Sequence, residues 1–334
     1  MSRTPYVQKG ASANFNVPFE GPPEIFYFVL LPKATMLALA AAIEPLRIAN
    51  QLTKKQLYTW HTMTEDGAPI YCSNGLRITP DEALKPLPSN AHAFVCAGVE
   101  PEKTCSTPVL NWIRREYRFG RSVGGICTGA FALAKAGLLG GQRFTLHWEN
   151  QPGFIEAFPS LIPSPSIFES DGRITTCGGG NAAIDMMLAL IEKSHGPQLA
   201  IMVADMCIHM RSGTQSPQRS SHSVVIGSRN PILLAAIELM QSELETPLTN
   251  TDLCDRLGIS RRQLERLFKR YLGQGPMAYY LDLRISRAFT FLNETNMTVA
   301  EISIATGFAN TSHLSRQFRA KYGDSPHSYR KAWS

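Results

Sequence analysis

Apolar residues run along this chain in two different rhythms. From residue 24 onward, short unbroken apolar runs alternate with segments whose apolar positions recur at helical spacing. Residues 25–31, 91–97 and 122–126 read as strands, and residues 36–49, 111–118, 128–136 and 182–193 as helices. Strands covered on both faces lose the in–out alternation of a half-exposed sheet. The pattern therefore predicts an α/β sandwich with a mostly parallel sheet. One hairpin should interrupt it: residues 166–168, a turn at Ser170-Asp171-Gly172, and residues 173–177.

The last hundred residues show helical spacing only, and they say one thing twice. Leu264-x-Arg266-x-Phe268-Lys269-x-x-x-Gly273-x-x-Pro276-x-x-Tyr279 returns fifty positions on as Leu314-x-Arg316-x-Phe318-Arg319-x-x-x-Gly323-x-x-Pro326-x-x-Tyr329. Each copy follows a short apolar segment and a glycine: residues 253–257 then Gly258, and residues 302–306 then Gly307. Helix, tight turn, second helix predicts two helix-turn-helix units in tandem. Leu264, Leu267, Phe268 and Tyr271 share one face of the first unit's second helix, as do Leu314, Phe318 and Tyr322 in the second unit. Ser260 and Asn310 suit the N-caps. The outer faces correspond: Arg262 with Ser312, Arg266 with Arg316, Lys269 with Arg319. With the neighbouring Arg261 and Glu265 they form the candidate DNA-contact set. The alternative reading is a pair of solvated charged faces.

Composition adds a little. The chain has 334 residues and a formal net charge of +6, room for two domains. The positive charge is local, with eight Arg or Lys against two acids in residues 256–287. Such a patch supplies salt-dependent attraction to phosphates. Seven scattered cysteines form no CxxC pair and have no zinc spacing, so no metal or other cofactor is expected and free thiols are. No apolar run reaches the roughly 18 residues a membrane helix needs, and the first two dozen residues lack a signal core. These features imply a cytoplasmic protein away from membranes. The expected organisation is a flexible tail (1–23), an α/β domain (24–210), a linker (211–230) and a helical domain (231–334). Arg211, Arg219 and Arg229 lie in that linker, read as solvated rather than DNA-bound.

One stretch of the α/β region carries potential chemistry. Gly125-Ile126-Cys127-Thr128-Gly129 follows a strand and opens a helix. Flanking glycines permit the strained turn of a nucleophile elbow, and a helix N-terminus favours a thiolate. Catalysis also needs a base within reach and a group to orient it. The elbow resembles that of PfpI-type domains, a resemblance that implies an orienting acid near the start of the first helix; here no acid precedes Glu44 in residues 34–43, and His147 stands about twenty residues past Cys127. Cys127, Thr128, His147, Trp148 and Glu149 are therefore read as lining a ligand site. Cys177-Gly178-Gly179-Gly180-Asn181 is read as a turn needing positive φ, with backbone anion binding as the alternative. Glu44-Pro45-Leu46-Arg47 is read as a kinked helix surface.

Residues 231–334 resemble the DNA-binding domain of AraC/XylS-type regulators, on Ser260-Arg261-Arg262-Gln263-Leu264-Glu265-Arg266-Leu267-Phe268-Lys269, Gly307-Phe308, Ser315-Arg316-Gln317-Phe318-Arg319 and Gly323-Asp324-Ser325-Pro326. The resemblance implies a long helix joining the units, here residues 277–293, and two recognition helices in major-groove segments about 34 Å apart. Residues 24–209 resemble the class I glutamine amidotransferase-like, PfpI-type domain, on the elbow, residues 136–139 and His147-Trp148. That fold is flavodoxin-like. Together they resemble regulators of quaternary-amine or amino-acid catabolism. This implies double-stranded DNA, a small-molecule effector, RNA polymerase and a second copy of the chain as partners, with activation the usual outcome. The alternative is a PfpI-like cysteine hydrolase or hydratase carrying a DNA-binding domain.

Overall fold

The computed structural model describes residues 6–7, 14–211, 218 and 230–333. The chain divides into two compact units, Met1–Gln218 and Arg219–Ser334.

The first unit is built on β1 (Glu24–Leu30), α1 (Met36–Thr53), β2 (Tyr58–Thr64), β3 (Ile70–Tyr71), β4 (Arg77–Ile78), β5 (Glu82–Ala83), β6 (Ala91–Cys96), α2 (Pro101–Thr104), α3 (Thr107–Arg118) and β7 (Ser122–Ile126). It continues through α4 (Ala130–Lys135), α5 (Gln151–Ala157), β8 (Phe168–Asp171), β9 (Ile174–Cys177), α6 (Ala182–His195) and α7 (Pro197–Met206). Seven strands form one sheet in the order β5-β2-β1-β6-β7-β9-β8. Its pairings are parallel except β8 against β9, the hairpin expected from the turn at Gly172. Two apolar layers cover the sheet. Residues of α1, α6 and α7 pack on Phe26, Phe28 and Leu30, and residues of α3, α4 and α5 pack on Tyr27, Val29 and Val95. Alternate β1 side chains thus feed opposite layers, which is why the strand reads as one continuous apolar run.

Several elements were not legible. β2 carries Thr59, His61 and Thr62 among its apolar residues, and α7 follows α6 after a single glycine. Residues 44–47 are a correction: Pro45 and Leu46 are buried within α1, and only Glu44 is exposed, paired with Arg47 at 2.6 Å. The expected tail is also corrected in part. Val17 is buried, and Phe15 N donates to Leu52 O at 2.9 Å, so the stretch around Phe15–Val17 contacts the unit. Residues 1–5 and 8–13 lie outside the described residues, as do 212–217 and 219–229, with Arg219 and Arg229, of the expected linker.

The second unit is helical: α8 (Pro231–Ser242), α9 (Asn250–Leu257), α10 (Arg261–Leu272), α11 (Pro276–Glu294), α12 (Val299–Ala305), α13 (Thr311–Tyr322) and α14 (Pro326–Trp333). Two separate apolar clusters hold it. Leu253, Leu264, Phe268, Tyr280 and Leu283 belong to the first, and Ile285, Phe291, Ile302, Leu314 and Phe318 to the second. The long α11 gives its first half to one cluster and its second half to the other. Both short helices carry a capping box, Thr249 with Asp252 and Thr298 with Glu301, and both turns use a left-handed glycine, Gly258 and Gly307.

Candidate functional site

The carboxyl end of β7 delivers Cys127 in the left-handed region, φ 62°, where a side chain is strained. Close backbone approach sustains this. A Cβ on Gly129 would lie 2.1 Å from Val95 O, and one on Gly179 (φ +81°) would lie 2.6 Å from Cys127 Cβ. Only glycine fits either place. The Gly178–Gly180 run is thus a turn packed against the cysteine, with Gly179 and Gly180 both at positive φ.

The elbow is bonded on every side. Cys127 N donates to Cys177 O at 3.0 Å, Thr128 Oγ1 to Gly98 O at 2.7 Å, and His147 N to Cys127 O at 3.2 Å. The Cys127 sulfur lies 3.6 Å from Thr35 Oγ1, just before α1. Burial pushes the Cys127 thiol up from its ordinary pKa, more than the Thr35 hydroxyl and the Thr128 N–H pull it down. The sulfur is 7% exposed as a residue and stays a thiol at neutral pH. Below it Cys96 and Cys177 are fully enclosed, and burial pushes Cys177 up to about 12.

A nucleophile needs a partner that takes its proton. Among the described residues, no carboxylate or imidazole hydrogen-bonds to the Cys127 sulfur. His147 contributes its backbone, while its ring turns to Trp148 (centroids 5.6 Å) and to Glu149 (Nδ1–Oε2 3.9 Å). Burial lowers the His147 pKa, against the pull of Glu149, so the ring is neutral. Trp148 and Glu149 sit on a single 3₁₀ turn, residues 148–150, that leads into α5. The five ligand-site candidates are therefore contiguous through backbone contact: Cys127 and Thr128 in the elbow, His147 bonded to Cys127, Trp148 and Glu149 beside it.

Two participants carried no signal in the sequence. Thr35 looks like an ordinary helix start. Gln218 sits in a polar, aperiodic stretch, yet its side chain reaches the same place: Nε2 donates to Leu146 O (2.8 Å), Thr145 Oγ1 (3.0 Å) and Ser166 O (3.0 Å), and Oε1 accepts from Trp148 N (2.9 Å).

Ser260 and Asn310 cap α10 and α13 through bonds to Gln263 N and His313 N. Leu264, Leu267, Phe268, Leu314 and Phe318 are buried, while Arg261, Arg262, Glu265, Arg266, Lys269, Ser312, Arg316 and Arg319 are exposed. Arg261 pairs with Glu265 at 3.0 Å along the helix, leaving Arg262, Arg266 and Lys269 facing solvent.

Family models match both parts: "Helix-turn-helix domain" over residues 253–332 and "DJ-1/PfpI family" over residues 37–193. The chain is 41% identical over 302 residues to the HTH-type transcriptional regulator CdhR of Pseudomonas aeruginosa, covering 90% of each chain. It is 39% identical over 310 residues to the HTH-type transcriptional regulator GbdR of the same species, covering 92% of this chain and 84% of that one. An enzyme, isonitrile hydratase of Pseudomonas putida, is 31% identical over 182 residues, covering 53% of this chain and 74% of that protein. CdhR and GbdR each match about nine-tenths of the chain, and its role is regulatory rather than enzymatic.

Proposed function

This chain belongs to the helix-turn-helix transcription regulators whose DNA-binding region is AraC-type and whose first domain is DJ-1/PfpI-like, and within that family we propose that it is a cytoplasmic, homodimeric activator governed by a small nitrogenous effector. The effector is a quaternary amine or an amino acid, bound at Cys127, Thr128, His147, Trp148 and Glu149. The observation that carries this is the enclosed elbow: a thiol held protonated, with Thr35 as its neighbour and, among the described residues, no carboxylate or imidazole bonded to it. The adjacent Trp148 ring and Glu149 carboxylate suit a cation, through the π face and through charge.

On DNA, Arg262 and Arg266 read one major-groove segment and Ser312 and Arg316 the next, with Arg261, Glu265, Lys269 and Arg319 alongside. Recruitment of RNA polymerase then activates transcription. Pairing of two copies through the α/β unit is supported by Ile201, Met206 and Ile208, apolar residues of α7 and its end that are left exposed. Sedimentation of the full chain reads out the dimer directly, and a monomer at tens of micromolar with effector present would remove it.

The test of the effector is thermal shift of the full chain against glycine betaine, carnitine, arginine and polyamines. A ligand of the folded state adds about 2.7 kcal/mol at a hundred times its Kd. Cys127→Ser should change that ligand's affinity while leaving DNA binding intact, and mass spectrometry should recover the ligand unchanged. Consumption of the ligand by the wild type and not by Cys127→Ser would instead favour the hydratase-like reading that the isonitrile hydratase match allows.

A further inference from the structure

Gln218 is placed as a ligand would be. Its backbone N–H donates to Pro165 O at 2.8 Å, and its carboxamide lies within hydrogen-bond distance of four further groups remote in sequence, two N–H shared among three acceptors and the oxygen facing one donor. The orientation of the amide is forced. Leu146 O and Ser166 O can only accept, so the NH₂ must face them, and Trp148 N–H can only donate, so the oxygen must face it. Thr145 Oγ1 completes the set and is itself fixed, donating toward Ser164 O (2.8 Å) and Ser166 O (2.9 Å). The position touches the elbow from two sides. Trp148 adjoins His147, whose N–H holds Cys127 O, and a Cβ on Gly178 would lie 2.6 Å from Gln218 Cδ, next to the Gly179 that packs on Cys127.

We propose that the Gln218 carboxamide is an internal ligand that holds an amide-recognising subsite beside Cys127, and that the effector activates by displacing it. The inference rests on the reading that this domain binds an effector, and it narrows the class. The subsite offers three acceptors and one donor, which suits a group with N–H bonds beside an oxygen: a primary carboxamide, or the ammonium and carboxylate of an amino acid. A quaternary ammonium has no N–H for the three acceptors. Displacement matters because Gln218 is the last residue of the first unit, on the chain segment that leads to the second. A ligand that prefers the vacated subsite shifts the equilibrium between the Gln218-filled and Gln218-free subsite by its differential affinity alone.

The experiment uses the full chain and propionamide as probe. Gln218→Ala should raise the hydrogen-exchange rate of the Trp148 amide about tenfold, since its acceptor is gone. Propionamide at about 0.1 M should restore the protection in the variant, and sodium propionate should not, because a carboxylate cannot donate to Leu146 O and Ser166 O. Gln218→Glu, nearly isosteric but without the NH₂, should expose the amide as Gln218→Ala does. A reporter carrying a site selected from random duplexes should show effector-independent expression roughly threefold above wild type with either variant. Unchanged Trp148 exchange in Gln218→Ala, or exchange that propionamide leaves unaltered, overturns the subsite. Unchanged basal expression, with panel ligands binding wild type and variant equally, overturns the displacement while the effector reading stands. Amide rescue and raised expression with no binder in the panel uphold the inference and remove the proposed effector classes instead.

Discussion

The two helix-turn-helix units are close copies in sequence and unequal in how they are held. Both begin with a capping box, turn on a left-handed glycine and expose a basic second helix. They differ at the turn. A Cβ on Gly258 would meet nothing within 4 Å, whereas one on Gly307 would lie 2.4 Å from Leu244 O and 2.5 Å from Pro247 Cγ. The second turn is also gripped by Arg284 of α11. Its Nε donates to Thr306 O at 2.8 Å, its Nη2 to Gly307 O at 2.5 Å, and the guanidinium lies 4.3 Å from the Phe308 ring centre. The first unit stands on its own cluster; the second is buttressed by the segment between α8 and α9 and by the connecting helix. The repeat gives two similar basic second helices, and packing fixes the second unit against parts of the first. Docking in successive grooves depends on that fixed relation.

The contrast is tested most severely at the glycines. Gly307→Ala should cost about 3 kcal/mol or more, from a left-handed alanine plus overpacking against backbone. Gly258→Ala should cost about 1 kcal/mol, from the left-handed conformation alone. Calorimetry of the full chain reads both, and equal losses would show that the turns are equally supported. Arg284→Met keeps the apolar stem and removes the bonds to two carbonyls, a cost of about 2 kcal/mol. In footprints it should weaken the DNA segment under the second unit before the first; even weakening of both would break the assignment.

At the reading heads the units should behave alike. Arg266→Ala and Arg316→Ala should each flatten base preference in their own segment, by about 1–3 kcal/mol for a bidentate arginine on guanine. Lys269→Ala should weaken all sequences evenly, as a phosphate contact does. An unchanged ranking of selected sites after Arg266→Ala would remove its role as base reader. The smallest expected effects are at the caps, where Thr249→Ala and Thr298→Ala should each cost about 1 kcal/mol. Hydrogen bonds from Thr249 and from Thr298 hold Asp252 and Glu301 below their ordinary pKa values. A depressed carboxylate stabilises above its unfolded pKa and ceases to as pH falls through the folded one, so both caps should weaken together on acidification below the carboxylate range. Melting curves from pH 7 downward check this, and a cap that persisted in one unit alone would contradict it.

Much of this was legible because the information is local. Helix faces follow from positions three and four apart, and caps bind three residues away, so the repeat, Ser260, Asn310 and the exposed arginines could be read without a fold. β1, β6 and β7 announced themselves as apolar runs, and the elbow as glycines around Cys127. The tail and the kinked helix were misread for the opposite reason. Val17 and Leu46 look like surface until Lys55, whose Nζ bonds Val17 O at 2.8 Å, and the α6–α7 layer are set against them.

What the sequence alone determined, then, is two modules, two helices with exposed basic faces and a strained cysteine between glycines. What the tertiary structure decided is what each of these touches. Thr35 reaches Cys127 across 92 positions, and Gln218 reaches Thr145 across 73. Gly307 meets Leu244 through packing between units that the repeat presents as independent. Such contacts are set by sheet register and by backbones closing to within a few ångströms, and neither leaves a period or a spacing in the chain.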